Sequence, residues 1–372
     1  MHRRSIAVLA ILCTALPAAA AEVAATPDAE RILSAAPNAA SYDKHLLLLT
    51  EEPHMAGTER NLALAEYVRD RFREYGLDEV SFHEFPALLS FGRSAALAIR
   101  EPVDQALNLR EDPYPADKDS RLYDDPKQVA FHGYAPSGKV RAEVVYANGG
   151  SPEDFQQLDR MGLDLQGKIV LMRYSNPYSY RGYKVYEAEK RGAAGTIIYS
   201  DPAESGAIQG PVYPHGPWGS ESAIEWGAIL YDWLGQGEPF TFHWQKQPDG
   251  RWAEGPLRDK QLPRIPSMPL NARNAAEILR HLQGPDAPAE WQGGLPLKYR
   301  IGPGPVTLEM DVQNEERVAT LRSVIGVIRG REEPEKLVIV GNHLDAWTYG
   351  AVDPSSGTAA LLEMARAFGE AL

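Results

Sequence analysis

Residues 338–357 read VIVGNHLDAWTYGAVDPSSG, and three side chains in this stretch are of types that hold cations. His343 can offer a neutral imidazole nitrogen to a metal, and Asp345, two residues on, can accept the other ring N–H, which fixes the tautomer and raises ligand basicity. Asp353 arrives after a turn containing Gly350. Its two oxygens could bridge a pair of cations, which an imidazole with one free lone pair cannot do. Two zinc ions about 3.5–4 Å apart hold a hydroxide near neutral pH and polarise a carbonyl, the chemistry of amide hydrolysis. On spacing alone a second reading stands beside this one: a histidine hydrogen-bonded at a strand end, and an aspartate that caps the next helix.

These side chains need a strand before them and a helix after them. Leu337–Val340 is aliphatic at every position, a run suited to the middle of a sheet with both faces covered. Open α/β sheets bind ligands at the carboxyl ends of such strands, and His343 leaves from that end. Ser355 or Ser356 opens the following helix, with Ala359, Leu362 and Ala365 at helical spacing. Glu363, among Leu361, Leu362 and Met364, reads as a structural acid at a helix surface or interface. Earlier, residues 42–50 read as a helix, and a second one follows the N-cap candidate Thr58. Leu62, Ala65, Val68, Phe72 and Tyr75 form its apolar stripe, and Gly76 closes it. From about Ser94 to Pro305, prolines, glycines and short β-like runs dominate. Inside that stretch GKIVLMRY, YKVYEAEKRG and GTIIYSDP spell strand, helix, strand, a compact βαβ unit. LRSVIGVIRG and KLVIVGN then return to dense apolar strands. The order predicts an α/β fold whose first helices and last strands share a sheet, with the middle as a separate lobe.

The chain has 372 residues, 44% of them hydrophobic, enough for a real core and for two domains of ordinary size. Its start is of another kind. His2, Arg3 and Arg4 precede the apolar run from Ile6 to Leu16, and Pro17 and four alanines lead to Glu22. That is the layout of a cleavable signal peptide over residues 1–21. The run is too short to span a bilayer, so the expectation is a periplasmic or secreted protein, with no membrane attachment after cleavage. Cys13 is the only cysteine and lies in that run, which leaves the mature chain without disulfide or thiol chemistry. Loss of Arg3 and Arg4 leaves 36 basic against 51 acidic residues, a balance of −15, the wrong sign for nucleic acid or anionic lipid. Familiar signatures of different chemistry fail. GLDLQGKI, from Gly162 to Ile169, has Ile169 where a phosphate loop needs a hydroxyl, and its glycines precede a strand instead of following one. No G-x-S-x-G elbow occurs, and His83-Glu84 has no second histidine at helical spacing.

VGNHLDAWTYGAVDPSSGTAALLEMARAFG closely resembles the metal-binding segment of the zinc peptidases that include glutamate carboxypeptidase II. PHMAGTERNLALAEYVRDRFREYGLD and IGPGP at 301–305 are similar to other parts of that family, and GKIVLMRY with YRGYKV and GAAGTIIYSDPAE to its protease-associated domain. The resemblance implies an aminopeptidase-like mixed sheet flanked by helices, interrupted by an inserted protease-associated domain with a βαβ core. The first peptidase segment is expected over 22–93, the insert over 94–317 and the second segment over 318–372. It further implies that His343 is a terminal zinc ligand, Asp353 the bridging aspartate and Asp345 the carboxylate behind the histidine. Arg181, in YRGYK, would grip a peptide's α-carboxylate with Tyr180 lining the same pocket, and a guanidinium suits such bidentate pairing. Against this stands Arg181 as a surface arginine paired with Glu187 or Glu189. Glutamate-selective relatives add an amide side chain to the pocket from a glycine-rich loop, where HGPWGSESA here offers Trp218.

In the family the general-base glutamate and three further zinc ligands follow the helix after the bridging aspartate, whereas Leu372 is the last residue here. Two ligands do not hold two zinc ions. The expectation is therefore an inactive front part of an exported dizinc exopeptidase, incomplete in its sheet, with aliphatic faces uncovered. Its substrate is a peptide, its reaction that of a carboxypeptidase of the glutamate carboxypeptidase type, and a homodimer is an option at full length. An aminopeptidase is the competing possibility within the same chemistry, decided by an acidic residue that meets the substrate's amine. Outside catalysis the chain could be a binding protein like the transferrin receptor, or a stand-alone protease-associated binding lobe.

Overall fold

Strands β1 (Glu79–Glu101) and β11 (Thr307–Val327) run antiparallel from Glu79 opposite Val327 to Glu101 opposite Thr307. The computed structural model describes residues 27–118, 120, 128–178, 180–234, 241–246, 252–254 and 261–372; residues 1–21, read as a signal peptide, lie outside them. Beside β11 come β4 (Gly138–Tyr146), β5 (Ile169–Arg173), β6 (Gly195–Tyr199) and β10 (Ser267–Leu270), these four mutually parallel. With β2 (Gln105–Ala106) on the far edge, the sheet has seven strands in the order β10-β6-β5-β4-β11-β1-β2. Two short pairs stand apart, β3 (His132–Gly133) with β7 (Gly227–Ala228) and β8 (Thr241–Lys246) with β9 (Trp252–Glu254). The architecture is the expected mixed α/β one, and the expected divisions at 93/94 and 317/318 fall inside the long ribbon, which runs on through both.

Helices α4 (Pro152–Arg160), α5 (Arg181–Lys190) and α7 (Ala272–His281) complete the parallel part, while α6 (Pro202–Ser205) is a single turn. The start of α4 is written in its sequence: Ser151 Oγ accepts the Asp154 N–H, Asp154 returns the bond to the Ser151 N–H, and Pro152 occupies the first turn. Phe155, Leu158, Val185, Ala188 and Ile278 pack with the all-buried strands β5, β6 and β10 in the larger core. A smaller apolar region lies where α1 (Pro27–Ala35), α2 (Ala39–Leu49), α3 (Glu59–Glu74) and α8 (Ser355–Ala371) come together, with Val68 and Phe72 against Leu362 and Ala365, and Leu49 and Leu64 against Ala359. Thr58 caps α3 by accepting the Asn61 N–H. In the buried stripe of α3, Leu64 takes the place expected of Leu62, which stays half-buried.

The ribbon serves both cores. Leu97, Ile99, Leu308, Met310 and Val312 belong to the larger one, and Val80 and Val324 pack against the smaller one. One expectation fails: Leu337–Val340 is not a strand. Its residues are 78%, 94%, 84% and 55% exposed. An apolar strand holds its extended form when neighbours bond its backbone and cover its faces, and none of the described strands lies beside it.

Inside the larger core Lys184 is fully buried, its ammonium donating to the carbonyls of Gly149 and Tyr178. Burial pushes it down to about 7, against the pull of Asp154. Between pH 7 and the ordinary lysine range the unfolded chain then binds more protons than the folded one, so this group makes stability rise with pH across that window. Denaturant unfolding of Lys184→Met should show a stability profile flatter than wild type between pH 7 and 9.5, by on the order of 1 kcal/mol per pH unit. Equal slopes in the two proteins would refute it.

Candidate functional site

The exposed lead ends at Asn342, whose Nδ2 donates to the Pro354 carbonyl and to Thr358 Oγ1, each at 2.8 Å. Thr358 Oγ1 in turn donates to the His343 carbonyl at 3.0 Å. These bonds staple the entry of the loop to the first turn of α8. Between them the chain reverses at Gly350, φ +65°, where an added Cβ would lie 2.5 Å from the Ala346 Cβ and 3.0 Å from the Asp353 carbonyl. Glycine alone tolerates that conformation and that crowding.

The reversal brings Asp353 back to His343, with Oδ1 2.9 Å from Nε2. On the other side of the ring, Nδ1 is 2.9 Å from the Asp345 carbonyl and 3.5 Å from its carboxylate. A carbonyl only accepts, so Nδ1 carries the proton. A neutral ring then turns the lone pair of Nε2 toward a carboxylate, an arrangement that needs a proton or a cation between the two. Tetrahedral zinc with bonds of about 2.0–2.1 Å sets its donors roughly 3.3 Å apart, a small opening of the pair seen here. The donor types and their spacing thus suit zinc, and the two residues supply two of the four donors it takes; no group of three or more such side chains occurs among the described residues. Asp353 does not cap α8, which has Pro354 at that position and no side-chain cap bond.

A cavity of about 410 Å³ opens beside the pair, walled in part by Glu111, Trp226, Asp345 and Trp347. Trp347 stands edge-on to Phe131 at 5.3 Å, and Phe131 edge-on to Trp226 at 6.0 Å, so aromatic contacts join the loop to the part of the chain between β1 and β11. Glu111 accepts the Ile224 N–H at 2.5 Å; burial lifts its carboxyl to about 7, with that amide pulling the other way. His54, also near Asp345, is fully buried and held neutral by desolvation.

Arg181 opens α5, Nε donating to the Tyr174 hydroxyl at 2.8 Å and one terminal nitrogen to Glu225 at 2.8 Å. The guanidinium lies on Gly227, where a Cβ would come within 2.1 Å of Cζ. Its ion-pair partner is Glu225; Glu187 pairs with Arg191 and Lys190, and Glu189 accepts the Tyr231 hydroxyl. Arg181 does not line the cavity; its partners Glu225 and Gly227 are the chain neighbours of the wall residue Trp226. Tyr180 gives its hydroxyl to the Leu230 carbonyl and packs on Tyr183, away from that wall. Trp218 is likewise not a wall residue, and the indoles in the cavity are those of Trp226 and Trp347. The structure thus gathers His343, Asp345 and Asp353 and holds Arg181 and Tyr180 outside them. Sequence reasoning missed Glu111, Glu225, Trp226 and Trp347. Glu111 lies in an irregular, proline-rich stretch with no periodicity to mark it, Trp347 stands inside the His343–Asp353 stretch but is not of a type that holds cations, and no motif singles out Glu225 or Trp226.

Residues 140–223 match the model of the PA domain and residues 323–372 that of Peptidase family M28. The chain is thus an α/β chain whose last segment is similar to Peptidase family M28, with the match to the PA domain lying between its two longest strands. More narrowly, it resembles zinc metallopeptidases of the glutamate carboxypeptidase type. A glutamate carboxypeptidase 2 homolog of Caenorhabditis briggsae is 36% identical over 341 residues, 87% of this chain and 43% of that protein. Aminopeptidase NAALADL1 of Mus musculus is 34% identical over 351 residues, 90% of this chain and 46% of that protein. The chain therefore spans about half the length of the curated relatives it matches. A Peptidase M28 precursor from Shewanella amazonensis SB2B shares the fold at a TM-score of 0.50 and 16% identity, over 90% of this chain and 61% of that one.

Glu363 lies apart from the cavity. Buried on α8, it accepts the Asn38 N–H at 3.0 Å and an Arg366 nitrogen at 2.8 Å, tying α8 to the start of α2. Burial alone would raise its carboxyl, but Arg366, Ser41 and the Asn38 amide together hold it at about 2. Its contribution is complete above the ordinary glutamate range and fades as pH falls toward 2. Glu363→Gln should lose about 2–3 kcal/mol at pH 7 and little near pH 2.5, as read by unfolding at both values. A loss independent of pH would contradict this.

Proposed function

We propose that the chain carries part of the active site of an exported dizinc exopeptidase, a carboxypeptidase of the glutamate carboxypeptidase type acting on short peptides. The observation behind this reading is the meeting of His343 Nε2 with Asp353 Oδ1 at 2.9 Å beside a cavity, with Asp345 behind the ring. Bound zinc supplies a polarised carbonyl and a water acidic enough to deprotonate near neutral pH. His343 and Asp353 would hold the metal, and Asp345 keeps the imidazole in the tautomer that leaves Nε2 free. The indoles of Trp226 and Trp347 keep bulk water from one side of the substrate. Arg181, anchored by Tyr174 through Nε, would meet the C-terminal carboxylate with its remaining nitrogens once Glu225 gives way. A second reading, an aminopeptidase, is favoured by the engagement of Arg181 with Glu225 and by the similarity to Aminopeptidase NAALADL1.

Zinc titration calorimetry checks the metal residues. His343→Ala and Asp353→Ala should each weaken zinc binding at least about 10-fold, and Asp345→Asn should weaken it less, because the backbone carbonyl that accepts the Nδ1 proton is kept. Unchanged affinity in His343→Ala would remove the basis of the reading. Export has its own check: material recovered from the periplasm or medium of an expressing cell should begin at Glu22 on N-terminal sequencing, and an intact Met1 there would refute cleavage.

A further inference from the structure

The cavity holds one carboxyl group for which the proposed zinc chemistry has no use. We propose that Glu111 is the specificity-determining residue of an ammonium subsite in this cavity, so that peptides with a free α-amino group near the scissile bond bind in preference to N-blocked ones. The mention of a scissile bond rests on the peptidase reading, whereas the ammonium preference does not.

The subsite is built and held in place. One Glu111 oxygen is fixed by the Ile224 N–H at 2.5 Å, and the other has no partner among the described residues. The next residue is tied down as well: Asp112 N–H donates to Ser222 Oγ at 3.1 Å, and its carboxylate pairs with Arg273. The wall around Glu111 includes Ile224 and the indoles of Trp226 and Trp347, with Asp345 and Asp353 in the same cavity, and among the described residues no lysine or arginine lines it. Arg181, outside the cavity, is engaged by Tyr174 and Glu225. A carboxylate among apolar and aromatic groups has lost much of its hydration and gains most from a cation that replaces it. An ammonium is also attracted by the face of an indole. Burial raises the Glu111 carboxyl, the direction expected of a carboxylate that has lost hydration. Neutral or N-acylated ends offer the carboxylate no such charge.

An α-amine and a lysine side chain share this chemistry, and the experiment separates them. Three versions of one tripeptide are titrated calorimetrically into the zinc-loaded full chain: free, N-acetylated, and N-acetylated with lysine just before the expected cleavage point. Hydrolysis of each is followed in parallel. The free peptide should bind roughly tenfold tighter than the acetylated one. Glu111→Gln keeps an oxygen for the Ile224 amide, so it should erase that difference and leave the affinity for the acetylated peptide unchanged. Glu111→Asp should restore part of the preference. A preference that persists without any hydrolysis supports the subsite, and the peptidase reading then stands or falls by the zinc titration of His343→Ala. Four results overturn the subsite: equal affinity for free and acetylated peptide, equal losses for both in Glu111→Gln, recovery by the acetylated lysine peptide, or no binding by any of the three.

Discussion

The antiparallel ladder between β1 and β11 is the constraint on which the rest of the molecule depends. Its two strands are more than 200 residues apart in the chain, so forming it closes a long loop that contains the segment matching the PA domain. The same ladder places residues from the two sides of the loop against each other. Glu111 and Trp226 lie between the strands in sequence, and His343, Asp345, Trp347 and Asp353 come after β11, yet all six wall one cavity. Neither set makes that cavity alone. The aromatic contacts through Phe131 then fix a juxtaposition that the ladder makes available.

The two ends of the ribbon also differ in what covers them. Toward Glu101 and Thr307 it joins β4 and the larger core, where strands are buried on both faces. Toward Glu79 and Val327 it is packed chiefly by α3, with Val80 and Val324 against Val68 and Phe72. Helix α8 is held there by Glu363 and Arg366, which reach the Asn38 amide and the Ala36 carbonyl. That clamp matters to the site, because the Asn342 and Thr358 staple fixes the His343 loop only as firmly as α8 itself is fixed.

Local chemistry was legible in the sequence, and partnership was not. The βαβ unit, the Thr58 cap, the start of α8 at Ser355 and the approach of Asp353 to His343 all follow from short-range rules of spacing, capping and turn formation. Leu337–Val340 had the right composition for a central strand and is none, because a strand is a property of its neighbours. Glu111 was invisible for a related reason: its surroundings come from residues more than 100 positions away. The likeness of Arg181 to the family arginine pointed to the residue and could not reveal that Glu225 already occupies it.

That occupation does not by itself disqualify Arg181 as a carboxylate grip. Glu225 is 45% exposed in its side chain against 19% for Arg181, so it can return to water while the guanidinium stays anchored by Tyr174. A substrate carboxylate would exchange one like-charged partner for another, and the net cost is small when the departing group is well hydrated. The contacts around Ile224–Gly227 give the exchange a direction. The Ile224 amide orients Glu111, the Glu225 side chain holds Arg181, and Trp226 forms the wall between them. On the proposed reading this one stretch of backbone sets the distance between a site for an ammonium and a site for a carboxylate. It would then measure a short zwitterionic peptide by its two ends, with the His343–Asp353 pair beside the bond between them.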